Sequence, residues 1–190
     1  MAAAASPATV EAAPPVLRPA PRRYASSLKG VPAPGNRTAA LAEFNQGLAA
    51  QNRRDRAGSL AAYRRATELD PVFFEAHHNL AVAALAANEL PLALVSAEQA
   101  AALNPESATA RYNFAVALQR SRYPAEAAEQ LEQLARVRPA DPQAHLALAS
   151  LYAVELGETH RARVHYQRLL GLSPDHPQAP EIRRWLERHP

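Results

Sequence analysis

From about Thr38 onward, apolar residues recur at three- and four-residue spacing, the period of helices with one buried face. Four closely similar breaks interrupt this pattern: Leu69-Asp70-Pro71, Leu103-Asn104-Pro105, Val137-Arg138-Pro139 and Leu172-Ser173-Pro174. Their prolines are 34, 34 and 35 residues apart. Independent positions keep the same step. Phe44-Asn45, His78-Asn79 and Tyr112-Asn113 recur every 34 residues, as do the small residues Gly47, Ala81, Ala115 and Ala149. Leu48, Val82 and Val116 form an aliphatic row that Ser150 ends. Tyr63, Ala97 and Leu131 also keep step, and Tyr166 joins them after one extra residue placed between Tyr152 and Ala162. That stretch contains Gly157 and reads as an inter-helix turn, where an insertion costs little.

Each period predicts two helices. In the second, helix A covers roughly 74–87 and helix B roughly 91–103. Pro91 and Pro124 suit the first turn of a B helix, where a missing N–H leaves no bond unmade. The prolines at 71, 105, 139 and 174 close the B helices. Two short helices joined by short turns pack antiparallel. Such pairs cannot bury their apolar faces alone, so a stack of pairs with a continuous core is expected. The fold class is therefore all-α, an α-solenoid of antiparallel helix pairs. A last helix over about 178–188 places Ile182, Trp185 and Leu186 on one stripe, with Arg183, Arg184, Glu187 and Arg188 off it. It reads as a capping helix with a polar outer face, Trp185 packing on the Tyr166–Leu170 region.

The tandem pattern resembles the tetratricopeptide repeat (TPR) family. The first repeat offers Gly47, Tyr63, Ala66 and Pro71; the second Leu80-Ala81, Ala93, Ala100 and Pro105. The third offers Phe114-Ala115, Ala127 and Pro139; the fourth Leu148-Ala149, Tyr152, Ala162, Tyr166 and Pro174. Repeats are expected at about 40–73, 74–107, 108–141 and 142–176, within a repeat domain over 38–190. The family's opening Trp is replaced by Glu43, His77, Arg111 and His145.

The resemblance implies that A helices line a concave face that binds a protein or peptide segment. Helix A of the second repeat is apolar all round, which requires burial on every side or a face that awaits a partner. Leu80, Ala81 and Ala84 are expected to pack on helix B, leaving Val82 and Leu85 towards the groove. The candidate groove residues are Phe44, His78 and Tyr112 in one row and Asn45, Asn79 and Asn113 in the next. Leu48, Val82 and Val116 make a third row, with Gln51, Asn52, Gln119 and Arg120 near the helix ends. An amide both donates and accepts, so the Asn row can bond an extended peptide backbone or, equally, neighbouring helices. Some family members clamp a C-terminal carboxylate with Lys, Arg and Asn. The matching positions here hold Phe44, Leu48, Asn79, Thr109 and Asn113, which lack the cations, so that specificity is not expected.

Composition adds the tail. Residues 1–37 hold seven of the 17 prolines and five basic residues, Arg18, Arg22, Arg23, Lys29 and Arg37, against Glu11 alone. A disordered, Ala/Pro-rich tail with no packed element is expected there. No early basic residue leads into an apolar stretch, so no secretory signal is visible, and cytoplasm is the default location. The remaining residues balance 16 Arg against 17 acids, which does not favour a nucleic-acid groove.

Without Cys there is no disulfide, thiolate metal site or Cys nucleophile. Phosphate-loop, hydrolase-elbow and zincin motifs are missing. His77 and His78 diverge around a helix, and His160 and His165 miss the spacing of a helical metal pair. His77 and His145, two repeats apart, cannot share a metal at about 10 Å per layer. Glu126, Glu129 and Glu132 read as a solvated helix face. The expectation is a non-enzymatic interaction module with no cofactor or metal. An architectural subunit assembling through its Ala-rich faces is an alternative. So is an adaptor tethered by its tail to nucleic acid or an anionic membrane.

Overall fold

The computed structural model describes residues 23–26, 28–30 and 32–190. The first 22 residues of the expected tail, with Ser27 and Val31, lie outside them. Helices pair in chain order: α1 (Arg37–Asn52) with α2 (Arg56–Leu69), and α3 (Phe74–Ala87) with α4 (Leu90–Leu103). The next pairs are α5 (Ala108–Arg120) with α6 (Pro124–Val137), and α7 (Pro142–Leu151) with α8 (Thr159–Leu172). Helix α9 (Ala179–Arg188) closes the stack. Each helix packs against the next, and α3 also meets α5, whereas the even-numbered helices make no comparable contact with one another. The first helices of the second and third pairs, α3 and α5, therefore lie on the side where successive layers come closest. Among the described residues, no helix is long and apolar enough to cross a membrane.

Small residues allow the close packing. Ala81, Ala115 and Ala149 are buried, as are Ala66, Ala93, Ala100, Ala127 and Ala162. Side-chain caps start several helices: Asn36 accepts from the Ala39 amide, Asp55 from Gly58, Ser107 from Ala110, and Asp141 from Gln143. These caps satisfy amides that a helix start leaves unpaired. The turns between B and A helices repeat one bond, from the Phe73 amide to the Asp70 carbonyl, Ser107 to Asn104, Asp141 to Arg138 and His176 to Ser173.

The turns inside the pairs repeat another. The amides of Asp55, Glu89 and Tyr123 each reach the carbonyl five residues back, at 2.9 Å, closing the helix as a left-handed C-terminal residue permits. That residue is Arg54, Asn88 and Arg122 in turn, and Gly157 in the fourth pair. In the fourth, Glu158 reaches Tyr152, six residues back, at 2.9 Å. The extra residue thus does not lengthen the turn, as the sequence suggested. Residues Tyr152–Leu156 are π-helical, which absorbs it inside the helix and restores the register for α8.

Residues 23–36 also depart from expectation. The described residues among them are not helical, but Tyr24 is half-buried against the repeats and Gly35 and Asn36 are held. The Gly35 amide donates to Asp70 and the Asn36 amide to the Leu69 carbonyl. Asp70, 1% exposed, also pairs with Arg37 at 2.7 Å. This acid thus fastens the start of α1 to the end of α2. At the other end, Trp185 of α9 lies 4.9 Å from the Tyr166 ring, as expected of a cap.

Candidate functional site

The inner face divides into two open clefts. One, of about 420 Å³, lies where α3, α5 and the α6–α7 turn meet, and is lined by His78, Thr109, Tyr112, Asn113, Arg138 and Gln143 among others. It brings together three of the sequence-derived groove residues. The other, of about 450 Å³, is lined by Val82 and Ala86 of α3 with Gln51, Arg54 and Arg56. Val82 is 43% exposed and Leu48, its counterpart on α1, 37%. Leu80, Ala81 and Ala84 are buried, so α3 turns one apolar flank to its neighbours and leaves another, at Val82, exposed. Leu85 is only partly buried and leans on the core.

Other candidates serve the stack itself. Phe44 packs 5.6 Å from Tyr63 and 5.1 Å from Phe73, joining the core of the first pair. The Tyr63 hydroxyl donates to Gln51 at 2.7 Å, and the Asn79 amide of the next pair tempers the rise in its pKa that burial causes. Gln119 donates to Glu155 at 2.6 Å, tying α5 to the π segment. Arg120 donates to the Leu85 carbonyl at 2.7 Å and to Asn88 at 2.9 Å, across the neighbouring pair. Asn45 is exposed, and Asn113 and Val116 are half-buried. Of the three amides, Asn79 thus acts between neighbouring repeats and Asn113 faces a cleft.

Three of the four positions that replace the family's Trp share a task, while the fourth, Glu43, accepts from Arg65. His77 reaches the Pro71 carbonyl at 3.0 Å, Arg111 that of Pro105 at 2.9 Å, and His145 that of Pro139 at 3.1 Å. Each of these three side chains thus reaches back to the proline closing the previous repeat, and satisfies a carbonyl left without a helical partner. Burial holds the His77 and His78 imidazoles below their usual pKa.

A cluster on the outer side escaped the sequence reading because its members lie on three helices. His145 and His165 stack with ring centres 5.3 Å apart and their Nδ1 atoms at 3.0 Å. Because His145 Nε2 must donate to Pro139, its Nδ1 accepts from His165 Nδ1–H, an assignment made from the bonding pattern. Glu132 accepts from the Tyr152 hydroxyl at 2.9 Å and lies 3.5 Å from His165 Nε2. Burial, then Glu132, raises the Tyr152 pKa well above its usual value, so the phenol stays a donor. Of the three glutamates read as a solvated face, only Glu129 is exposed. Glu126 is buried and Glu132 half-buried. Among the described residues, no group of three or more His, Asp or Glu is placed to hold a metal.

The Tetratricopeptide repeat model matches residues 44–109 and 112–177, so the chain belongs to that family. Its members are typically non-catalytic protein-interaction scaffolds. No curated protein matches the chain in sequence. Solved structures share the fold. MamA superposes with a TM-score of 0.70 at 18% identity, covering 79% of this chain and 85% of MamA. YrrB, a TPR protein with an unusual peptide-binding site, gives 0.65 at 19% identity, covering 78% of each chain. A tetratricopeptide repeat protein from Parabacteroides merdae gives 0.72 at 16%, covering 80% of this chain and 60% of that one.

Proposed function

We propose that the chain is a non-catalytic adaptor that holds a peptide segment of a protein partner along its inner face. The observation that carries this reading is the convergence of His78, Tyr112 and Asn113 on one open cleft. A second cleft beside the exposed Val82 lies on the neighbouring inner surface. Flat rings supply contact area at small entropic cost, and the Asn113 amide offers both a donor and an acceptor for peptide backbone. Apolar exposure on Leu48 and Val82 gives the groove a place for an aliphatic side chain. Leu41, 46% exposed on the same helix as Leu48, adds to that supply.

A peptide library selected on the full chain, followed by titration calorimetry, tests the reading. Tyr112→Ala combined with Asn113→Ala is expected to weaken selected peptides by about 2 kcal/mol, some thirtyfold, with helicity unchanged. Gln119→Ala, whose bond lies within the stack, is expected to leave affinity nearly unaltered. Peptides whose binding ignores Tyr112 and Asn113 would remove the inner face from the account.

A further inference from the structure

The outer face carries a cleft between α4 and α6, floored by the buried Phe114 of α5. Tyr24 fills it. Its ring stands edge-on to Phe114 at 6.1 Å and to Tyr123 at 5.3 Å. Its hydroxyl donates to Glu98 at 2.7 Å and its backbone amide to Glu126 at 3.0 Å. Glu98 is 6% and Glu126 9% exposed, and Glu126 Oε2 is buried with no hydrogen-bond partner among the described residues.

The repeat sets this cleft apart from its counterpart one layer on. Glu98 and Glu132 stand 34 residues apart, at the same repeat position. Glu132 receives its phenol locally, from Tyr152. The residue 34 before Tyr152 is Leu118, which has no hydroxyl, and Glu98 takes its phenol from Tyr24 instead. A buried carboxylate oxygen left unpaired, as Glu126 Oε2 is among the described residues, carries a large desolvation penalty. The cleft thus holds two buried acids, one with an oxygen to spare, and the segment that enters it is basic. Arg22 and Arg23 precede the tyrosine, with Arg18 and Lys29 close by in sequence.

We propose that the α4–α6 cleft is a second recognition site, one that takes a tyrosine on an extended Arg-rich segment, and that the arm around Tyr24 is its resident ligand, held in cis. The arm is tethered at Asp70 and seated at Glu98 and Glu126, while Ala25, Ser26, Lys29, Gly30, Ala33 and Pro34 between are exposed. That is a short tether with an anchor at its end. A tether of this length presents its ligand at an effective concentration of order millimolar, so the same segment in trans competes poorly until the anchor is removed. The site is independent of the inner groove.

The test is a fluorescent peptide of residues 18–30 titrated against full-length protein. Tyr24→Ala protein is expected to bind it saturably, at least about tenfold tighter than the wild type does, because the resident ring no longer competes. The same peptide with Tyr24→Ala should lose binding, and Glu98→Gln in the Tyr24→Ala protein should weaken it about tenfold. Equal binding to both proteins, no binding to either, or retention by the peptide without tyrosine overturns the proposal. Amide exchange on the wild type gives a reading that needs no variant. The Tyr24 amide, bonded to Glu126, is expected to exchange at least about tenfold more slowly than those of Ala25 and Ser26. An unprotected Tyr24 amide also overturns it.

Discussion

The first and fourth helix pairs put the same residue types at the same two repeat positions: a small residue on helix A and a tyrosine on helix B. The pairs are Gly47 with Tyr63 and Ala149 with Tyr166. They pack differently. Tyr63 is wholly buried, and a Cβ on Gly47 would stand 2.5 Å from its ring. Its hydroxyl turns back to Gln51 on α1. Tyr166 is 9% exposed and leans on Trp185 of the cap, while the Ala149 methyl is accommodated without exposure. The lesson is that a repeat position fixes which helices meet. The neighbouring layer decides where a large ring goes: the first pair ends in the Asp70–Arg37 link, the fourth in an aromatic cap.

The largest expected effect reverses the small residue at each end. Gly47→Ala drives a methyl into a ring that cannot retreat, and is expected to cost about 2 kcal/mol in urea unfolding. Ala149→Gly removes a buried methyl and loosens the helix backbone, at about 1 kcal/mol. A harmless Gly47→Ala would mean that the Tyr63 ring is free to move, and the contrast between the ends would vanish.

A second contrast concerns the turns inside the pairs. The fourth closes on Gly157 with φ of 70°, whereas the first and third use Arg54 at 61° and Arg122 at 68°. A side chain in that left-handed region costs about 1 kcal/mol or more, and glycine carries no such penalty. Arg122→Gly is therefore expected to stabilise the protein by about 1 kcal/mol, read from the urea midpoint. Asn88→Gly should gain less, because asparagine visits this region readily. Loss of stability in Arg122→Gly would point to a role for the exposed guanidinium that outweighs the backbone term.

Much of the fold was legible because helical period and repeat pitch reinforce each other. Pro71, Pro105, Pro139 and Pro174 set the layers, and the small-residue row at 47, 81, 115 and 149 set the facing surfaces. The surroundings of the candidate residues were legible in part. Val82 is exposed, and His78, Tyr112 and Asn113 share a cleft. Periodicity gave no warning that Phe44 joins a core cluster or that Arg120 bonds a neighbouring repeat. Each depends on what the adjacent layer offers, an aromatic Phe73 in one case and the Leu85 carbonyl in the other. Tyr24 was hidden for a related reason. A proline-rich stretch cannot form a packed element, but one ring within it can still dock between helices and donate to a buried acid.

The smallest expected effect separates the layers by pH. His77 and His78 on α3 and His165 on α8 all have pKa values lowered chiefly by burial. For His165, Glu132 opposes the shift and His145 adds to it; for His77, Pro71 and Asp70 oppose it. A depressed imidazole pKa means that the folded chain binds fewer protons than the unfolded chain just below pH 6.5. Stability is then complete above about pH 6.5 and declines as the pH falls below it, towards the folded-state values. The melting temperature should drop between pH 7.5 and pH 5.5, a window about one unit clear of the ordinary carboxylate range. His78→Gln, which removes one titrating group without touching the Pro71 or Glu132 contacts, should make that drop shallower. His165→Gln should do so less, because the Glu132 carboxylate 3.5 Å from its Nε2 favours the protonated ring and already offsets part of the burial cost. A steeper drop in either variant would show that the imidazole gains, rather than loses, proton affinity on folding, and would reverse the sign for that layer.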